Sequence, residues 1–186
     1  MRGFVFLITM LIALGCKSDE QPKPNAYLRL DYPTPAYLNF AKKEYPFTFQ
    51  YSSKAKIINK RKFWLDVYYP ELNATVVLSY APVQDNLNLL FKDAEKLTFK
   101  HMIKADDIQA VPYENSESKV YGKMFEVYGD AATQIQFHAT DSVKNFMTGA
   151  LYFYAKPNYD SIMPAVHYLK NDMIRLMETL EWKELD

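Results

Sequence analysis

The spacing of apolar and polar residues divides the chain into alternating and helical stretches. Phe47, Phe49 and Tyr51 alternate with Thr48 and Gln50, a period of two that predicts a strand. Trp64–Tyr69 and the β-branched run Ala74–Tyr80 predict two more, punctuated by Pro70 and Pro82. Leu87, Leu90, Phe91, Ala94, Leu97 and His101 then fall on one helical stripe, so 86–103 reads as a helix laid on a sheet, with Asp85 as its N-cap. The polar stretch that follows, with Asp106-Asp107 and the run Glu114–Ser118, reads as a loop holding at most one short strand.

Three further strands are expected at Tyr121–Tyr128, Thr133–Thr140 and Phe146–Tyr154. The last is apolar on both faces and must be covered on both sides. A second helix closes the chain. Its stripe is Ile162, Val166, Leu169, Met173, Leu176 and Leu180, with Ser161 as cap and Pro164 in the first turn. The expected fold class is α+β, an α/β sandwich with a mainly antiparallel central sheet and two long amphipathic helices. This element order resembles that of the PsbP and Mog1 fold group, a likeness of architecture that carries no function.

Residues 1–15 follow a different pattern. Arg2 precedes an apolar run from Phe4 to Leu14, too short to span a bilayer and placed as the h-region of a signal peptide. Ala13-Leu14-Gly15-Cys16 resembles a bacterial lipobox, although Ala13 stands where Leu is usual. Cleavage is expected between Gly15 and Cys16, with diacylglycerol on Cys16, and each buried acyl methylene contributes about 0.8 kcal/mol to anchoring. Residues 16–26 then form a lipidated tether, and 27–186 a single globular domain. Five of the ten prolines lie between Pro22 and Pro46, which favours an extended spacer. Lys17-Ser18-Asp19-Glu20, just after the cysteine, resembles a surface-export signal as well as a solvated tether.

Composition narrows the chemistry. The 186 residues are 49% apolar and carry 22 basic and 22 acidic side chains, so no global field attracts nucleic acid. The export signal argues against nucleic acid as well. A single cysteine can form no internal disulfide and no cysteine-based zinc site. There is no phosphate-binding glycine loop, nucleophile elbow or His-Glu-x-x-His motif. His101, His138 and His167 share no helix turn, and no cofactor or metal is expected. Asp141 and Ser142 beside His138 are better explained by turn chemistry than by a triad. Lys54, Lys56, Lys60, Arg61 and Lys62 form a basic run that suits either a solvated hairpin loop or an anionic surface or acidic partner.

Five segments carry a family resemblance: PKPNAYLRLDYP (22–33), YYPELNATVVLSY (68–80), DAEKLTFKHMIKAD (93–106), TGALYFYAKPNYDSIMPA (148–165) and KNDMIRLMETLEWK (170–183). Together they resemble the gliding-motility lipoprotein D (GldD) family of Bacteroidota-type bacteria. The resemblance implies a lipid-anchored protein of the cell envelope, in the outer membrane and facing the periplasm or the cell surface. It implies a role in gliding and the associated type IX secretion machinery, with other proteins of those systems as partners. It implies no enzymatic activity; only Cys16 transfers as a functional residue. Tyr27, Arg29, Tyr32 and Tyr37 are candidate partner contacts, since Tyr and Arg are frequent interface anchors, and are equally suited to packing the tether-proximal segment onto the domain. The alternative is a module that binds an envelope glycan or lipid; an envelope hydrolase is the least supported.

Overall fold

A computed structural model describes residues 32–100, 105–154 and 159–184. Within them lie ten strands and two α-helices: β1 Tyr37–Phe40, β2 Phe47–Ser52, β3 Lys56–Asn59, β4 Leu65–Tyr69, β5 Ala74–Pro82, α1 Leu87–Lys100, β6 Asp107–Asn115, β7 Val120–Tyr128, β8 Ile135–Thr140, β9 Asn145–Phe153, α2 Tyr159–Glu178 and β10 Glu181–Trp182. Seven strands form an antiparallel sheet in the order β3-β4-β5-β9-β8-β7-β6; β1, β2 and β10 form a second, three-stranded sheet. The α+β class read from the pattern is the class observed.

The two faces of the large sheet differ. Val76, Leu78, Ile135, Phe137, Met147 and Leu151 point to one face and are almost fully buried with Leu169, Met173 and Met177 of α2. Burying each such side chain contributes about 1.5–3 kcal/mol. The small sheet joins this core through rings: Phe40, Phe47 and Phe49 stack with centroids 4.9–6.0 Å apart, and Phe47 reaches Tyr80 at 5.6 Å. The opposite face is more polar. Register places Gln136, His138, Thr148 and Ser79 on it, beneath α1.

Helix α1 is a shallow cover. Its stripe residues Leu87, Leu90, Phe91 and Ala94 are only half-buried, and Leu89 and Phe99 are exposed. Asp85 does not cap it: the residue has φ +56°, and Asn86 supplies the first carbonyl, which accepts from Leu89 and Leu90 N–H. Helix α2 begins at Tyr159 rather than after Ser161, because Asp130 of the β7–β8 connection accepts the Tyr159 N–H at 2.9 Å. Pro164 consequently lies one turn inside the helix.

The stretch read as a loop before β7 is mostly strand. β6 pairs with β7 along all nine of its residues. As an edge strand with six exposed positions it shows no apolar alternation, and Pro112 is tolerated there because edges leave N–H groups unpaired. The basic run 54–62 is likewise more than a loop, since its middle is edge strand β3.

Gly149 of β9 faces Phe137 of β8, and a Cβ at Gly149 would overlap the Phe137 ring. Gly149→Ala is expected to lower stability by about 1–3 kcal/mol through overpacking, checked by chemical denaturation.

Candidate functional site

Three regions hold the chemistry of the described residues. The first is where the chain from the tether joins the domain. Tyr32 stacks on Tyr168 of α2 with centroids 4.8 Å apart, and Tyr168 Oη donates to Pro33 O at 3.5 Å. Tyr37, at the start of β1, donates its hydroxyl to Asp172 Oδ1 at 3.1 Å, and the Arg175 guanidinium lies 5.5 Å from the Tyr37 ring centre. Both tyrosines are therefore engaged within the domain. Tyr27, Arg29, Gly15 and Cys16 lie outside the described residues.

Asp172 is the residue that stripe analysis misses. It occupies a helical position between Leu169 and Met173 and is 3% exposed. Burial raises its pKa, and hydroxyls of Tyr37, Tyr69 and Ser52 pull it back by stabilising the charge. Oδ2 nonetheless has no partner of good geometry. The same burial and the neighbouring carboxylate push the Tyr37 hydroxyl up to about 12 and Tyr69 higher still. These hydroxyls stay protonated and act as donors, so the cluster is a hydrogen-bonded latch rather than an acid–base pair.

The second region lies under α1. A cavity of about 120 Å³ is lined by Thr98, Gln136, His138, Thr148 and Tyr152 among others. Thr98 Oγ1 lies 3.2 Å from Gln136 Oε1 and 3.2 Å from Ala94 O. Gln136 Nε2 and His138 Nδ1 are buried and unpartnered. Phe91, Phe125 and Phe146 surround the imidazole at 5.1–5.9 Å. Burial first, and then the positive charge of Lys123, lowers the His138 pKa to about 4. The ring is neutral at pH 7. Asp141, imagined with Ser142 as a triad partner, commits its carboxylate to its own turn, accepting from the N–H groups of Val143, Lys144 and Asn145 at 2.8–2.9 Å.

The third region is an open groove of about 1060 Å³ at the end of the sheet, bordered by Tyr80, Trp182, Lys119 and Lys144. Its polar groups bond one another: Tyr80 Oη donates to Asn145 Oδ1 at 2.7 Å, Trp182 Nε1 to Lys119 O at 3.1 Å, and Lys144 pairs with Glu184 at 2.9 Å. His167 and the Asp106-Asp107 pair are exposed, and His101 lies outside the described residues. Among the described residues no three His, Cys, Asp or Glu side chains are grouped to hold a metal ion, and no helix is long and apolar enough to cross a membrane.

None of these regions assembles a nucleophile, a base and an oxyanion donor. Comparison with known proteins supplies a family instead. The family model described as gliding motility lipoprotein GldD matches residues 17–182. The chain belongs to the GldD family. The match begins at the residue after Cys16, so both the latch and the α1 cavity lie within what the GldD family spans, while Glu184 of the groove lies beyond it. No curated protein matches the chain. Among solved structures, the solution structure of cyanobacterial PsbP (CyanoP) from Synechocystis sp. PCC 6803 is similar at 6% identity and a TM-score of 0.48, covering 91% of this chain and 99% of that one. At that score the likeness is no more than a resemblance of outline.

Two expectations follow for this GldD-family domain. Tyr37→Phe removes a donor from buried Asp172 and should cost about 1–3 kcal/mol, whereas Asp172→Asn, which keeps an acceptor and removes the buried charge, should stay within about 1 kcal/mol of the parent at pH 7; urea titration of both reads this directly. His138 has a folded pKa below its unfolded value of 6.5, so its stabilising contribution is present above pH 6.5 and is lost as pH falls towards 4. Asp172 works the other way: its raised pKa adds stability at low pH that fades as pH rises through it. The difference between parent and His138→Phe isolates the histidine and should amount to on the order of 3 kcal/mol between pH 6.5 and 4, measured as melting curves across that window.

Proposed function

We propose that this GldD-family lipoprotein is a non-enzymatic accessory or scaffold of the gliding apparatus and its associated type IX secretion machinery. Acyl chains on Cys16 hold it in the outer membrane, facing the periplasm or the cell surface. Its partners are other envelope proteins of the same systems. The observation that carries this reading is the family match over residues 17–182. The hydrogen bonds within the groove support it too, since its Tyr80, Trp182 and Lys144 groups bond to the protein itself.

A second reading, a module that binds an envelope lipid or glycan, rests on the cavity under α1. Two buried polar atoms without partners line one space there. Such atoms cost about 1–3 kcal/mol each when unpaired, and a neutral ligand with a hydrogen-bonding head and an apolar body would match the uncharged lining.

Crosslinking in living cells, followed by isolation of the protein and mass spectrometry, separates the readings. Reproducible capture of gliding or secretion components, lost in Cys16→Ser, is expected of the anchored scaffold. Capture of lipid or glycan alone would sink it in favour of the second reading. Tyr27→Ala with Arg29→Ala should abolish motility at an unchanged melting temperature if those residues contact a partner; a large fall in melting temperature would assign them to packing instead.

A further inference from the structure

The basic run at residues 54–62 gains a second contributor in three dimensions. The β3–β4 connection carries Lys60, Arg61 and Lys62, all exposed. Asn59, at the end of β3, accepts from Lys42 Nζ at 3.4 Å and from Tyr45 Oη at 3.2 Å, which draws the β1–β2 turn of the small sheet against this connection. Lys183, just after β10, donates its Nζ to Lys42 O at 3.0 Å. Five cations from three separate segments thus share one end of the molecule. Asp66, paired with Lys60 at 3.0 Å, and Glu44 of the β1–β2 turn oppose them; Glu184 beside Lys183 is paired with Lys144 at 2.9 Å, and Glu181 faces Thr48. The chain as a whole has a formal charge of zero, so this end is a local excess against a neutral background. Its rings are basic-facing too: the Arg61 guanidinium lies 3.5 Å from the Trp64 ring centre and Lys62 Nζ 5.0 Å from that of Phe63. Phe63 itself takes φ +63°, the left-handed conformation that turns the connection back into β4.

We propose that this end of the domain docks on anionic phospholipid headgroups of the bilayer that holds the lipid anchor. The inference rests on the anchored reading above and adds an orientation to it. An acylated Cys16 fixes the chain to a bilayer but leaves the domain free to rotate. Tyr32 is sixteen residues from Cys16, and a chain of that length can span at most about 50 Å at 3.1 Å per residue, more than the distance this orientation asks of it. A lipid chain combined with a polybasic patch is a recurrent two-part membrane signal. Exposed Lys60, Arg61 and Lys62 on one connection, with Lys42 and Lys183 from two further segments, suit a charged surface better than a single small anion. Salt screening then follows, because exposed charges act within about 10 Å at 0.1 M ionic strength.

The test uses the mature chain as Cys16→Ser, so that acyl chains contribute nothing and failure of the anchor is not confused with failure of the patch. Co-sedimentation is measured with vesicles of phosphatidylcholine alone and with about one-third phosphatidylglycerol. Binding to the anionic vesicles only, weakened by added salt, is expected. Lys60→Ala/Arg61→Ala/Lys62→Ala should weaken it at least about tenfold. Because Lys60 holds Asp66, a second variant, Arg61→Glu/Lys62→Glu, keeps that pair and the Lys42–Asn59 bond and should show the same loss while its circular dichroism stays that of the parent. Equal binding to neutral vesicles, no binding to either, or undiminished binding by the folded second variant overturns the proposal. Retention on dextran sulfate without vesicle binding also overturns it and reassigns the patch to an acidic polymer.

Discussion

The row of rings running from Phe40 through Phe47 and Phe49 to Tyr80 is what makes two sheets one domain. β1, β2 and β10 offer only four, six and two residues of strand, too little to stand alone. They persist because their rings are buried with the side chains of β4, β5 and α2. That burial sets where everything else falls. It brings Asp172 under Tyr37, seats the tether-proximal segment on Tyr168, and carries the β1–β2 turn to Asn59. The large sheet spends one face on this core and leaves the other to a shallow helix over a polar, partly empty layer.

Much of this was legible from periodicity, where periodicity reports burial. β5, β7, β8, β9 and α2 are buried on at least one face, and their apolar spacing marks them. β6 could not be read because an edge strand with mostly exposed residues has no face to encode. β1 was hidden by the prolines around it and by two exposed positions out of four. The start of the first helix is legible to within a residue, but the caps are not: Asn86 supplies the first carbonyl of α1, and a distant Asp130 accepts the Tyr159 N–H at the start of α2.

The site residues divide in the same way. Tyr32 and Tyr37 suit contacts or packing by residue type, and their partners lie in α2, 136 and 135 residues away along the chain. Asp172 gave no signal as part of a site, since one carboxylate in an otherwise apolar helical stripe can equally sit on the stripe's edge; only the fold shows it enclosed. Asn59 shows the same limit. An asparagine at a strand end is ordinary turn chemistry, and its role in joining two sheets depends on residues brought in by the ring row. Family membership, by contrast, was legible because it is spread over long strings of the chain, and the match to residues 17–182 bears it out.

The strand order has a consequence for folding. β3-β4-β5 and β6-β7-β8 are each built from neighbours in sequence, but β9 is inserted between β5 and β8 and joins the two halves. The joining strand and α2, which supplies much of the core, follow both halves in the chain. Without β9, the pairing edges of β5 and β8 that face each other across it have no partner strand. The two halves therefore become one sheet only through residues 145–153, whichever half forms first.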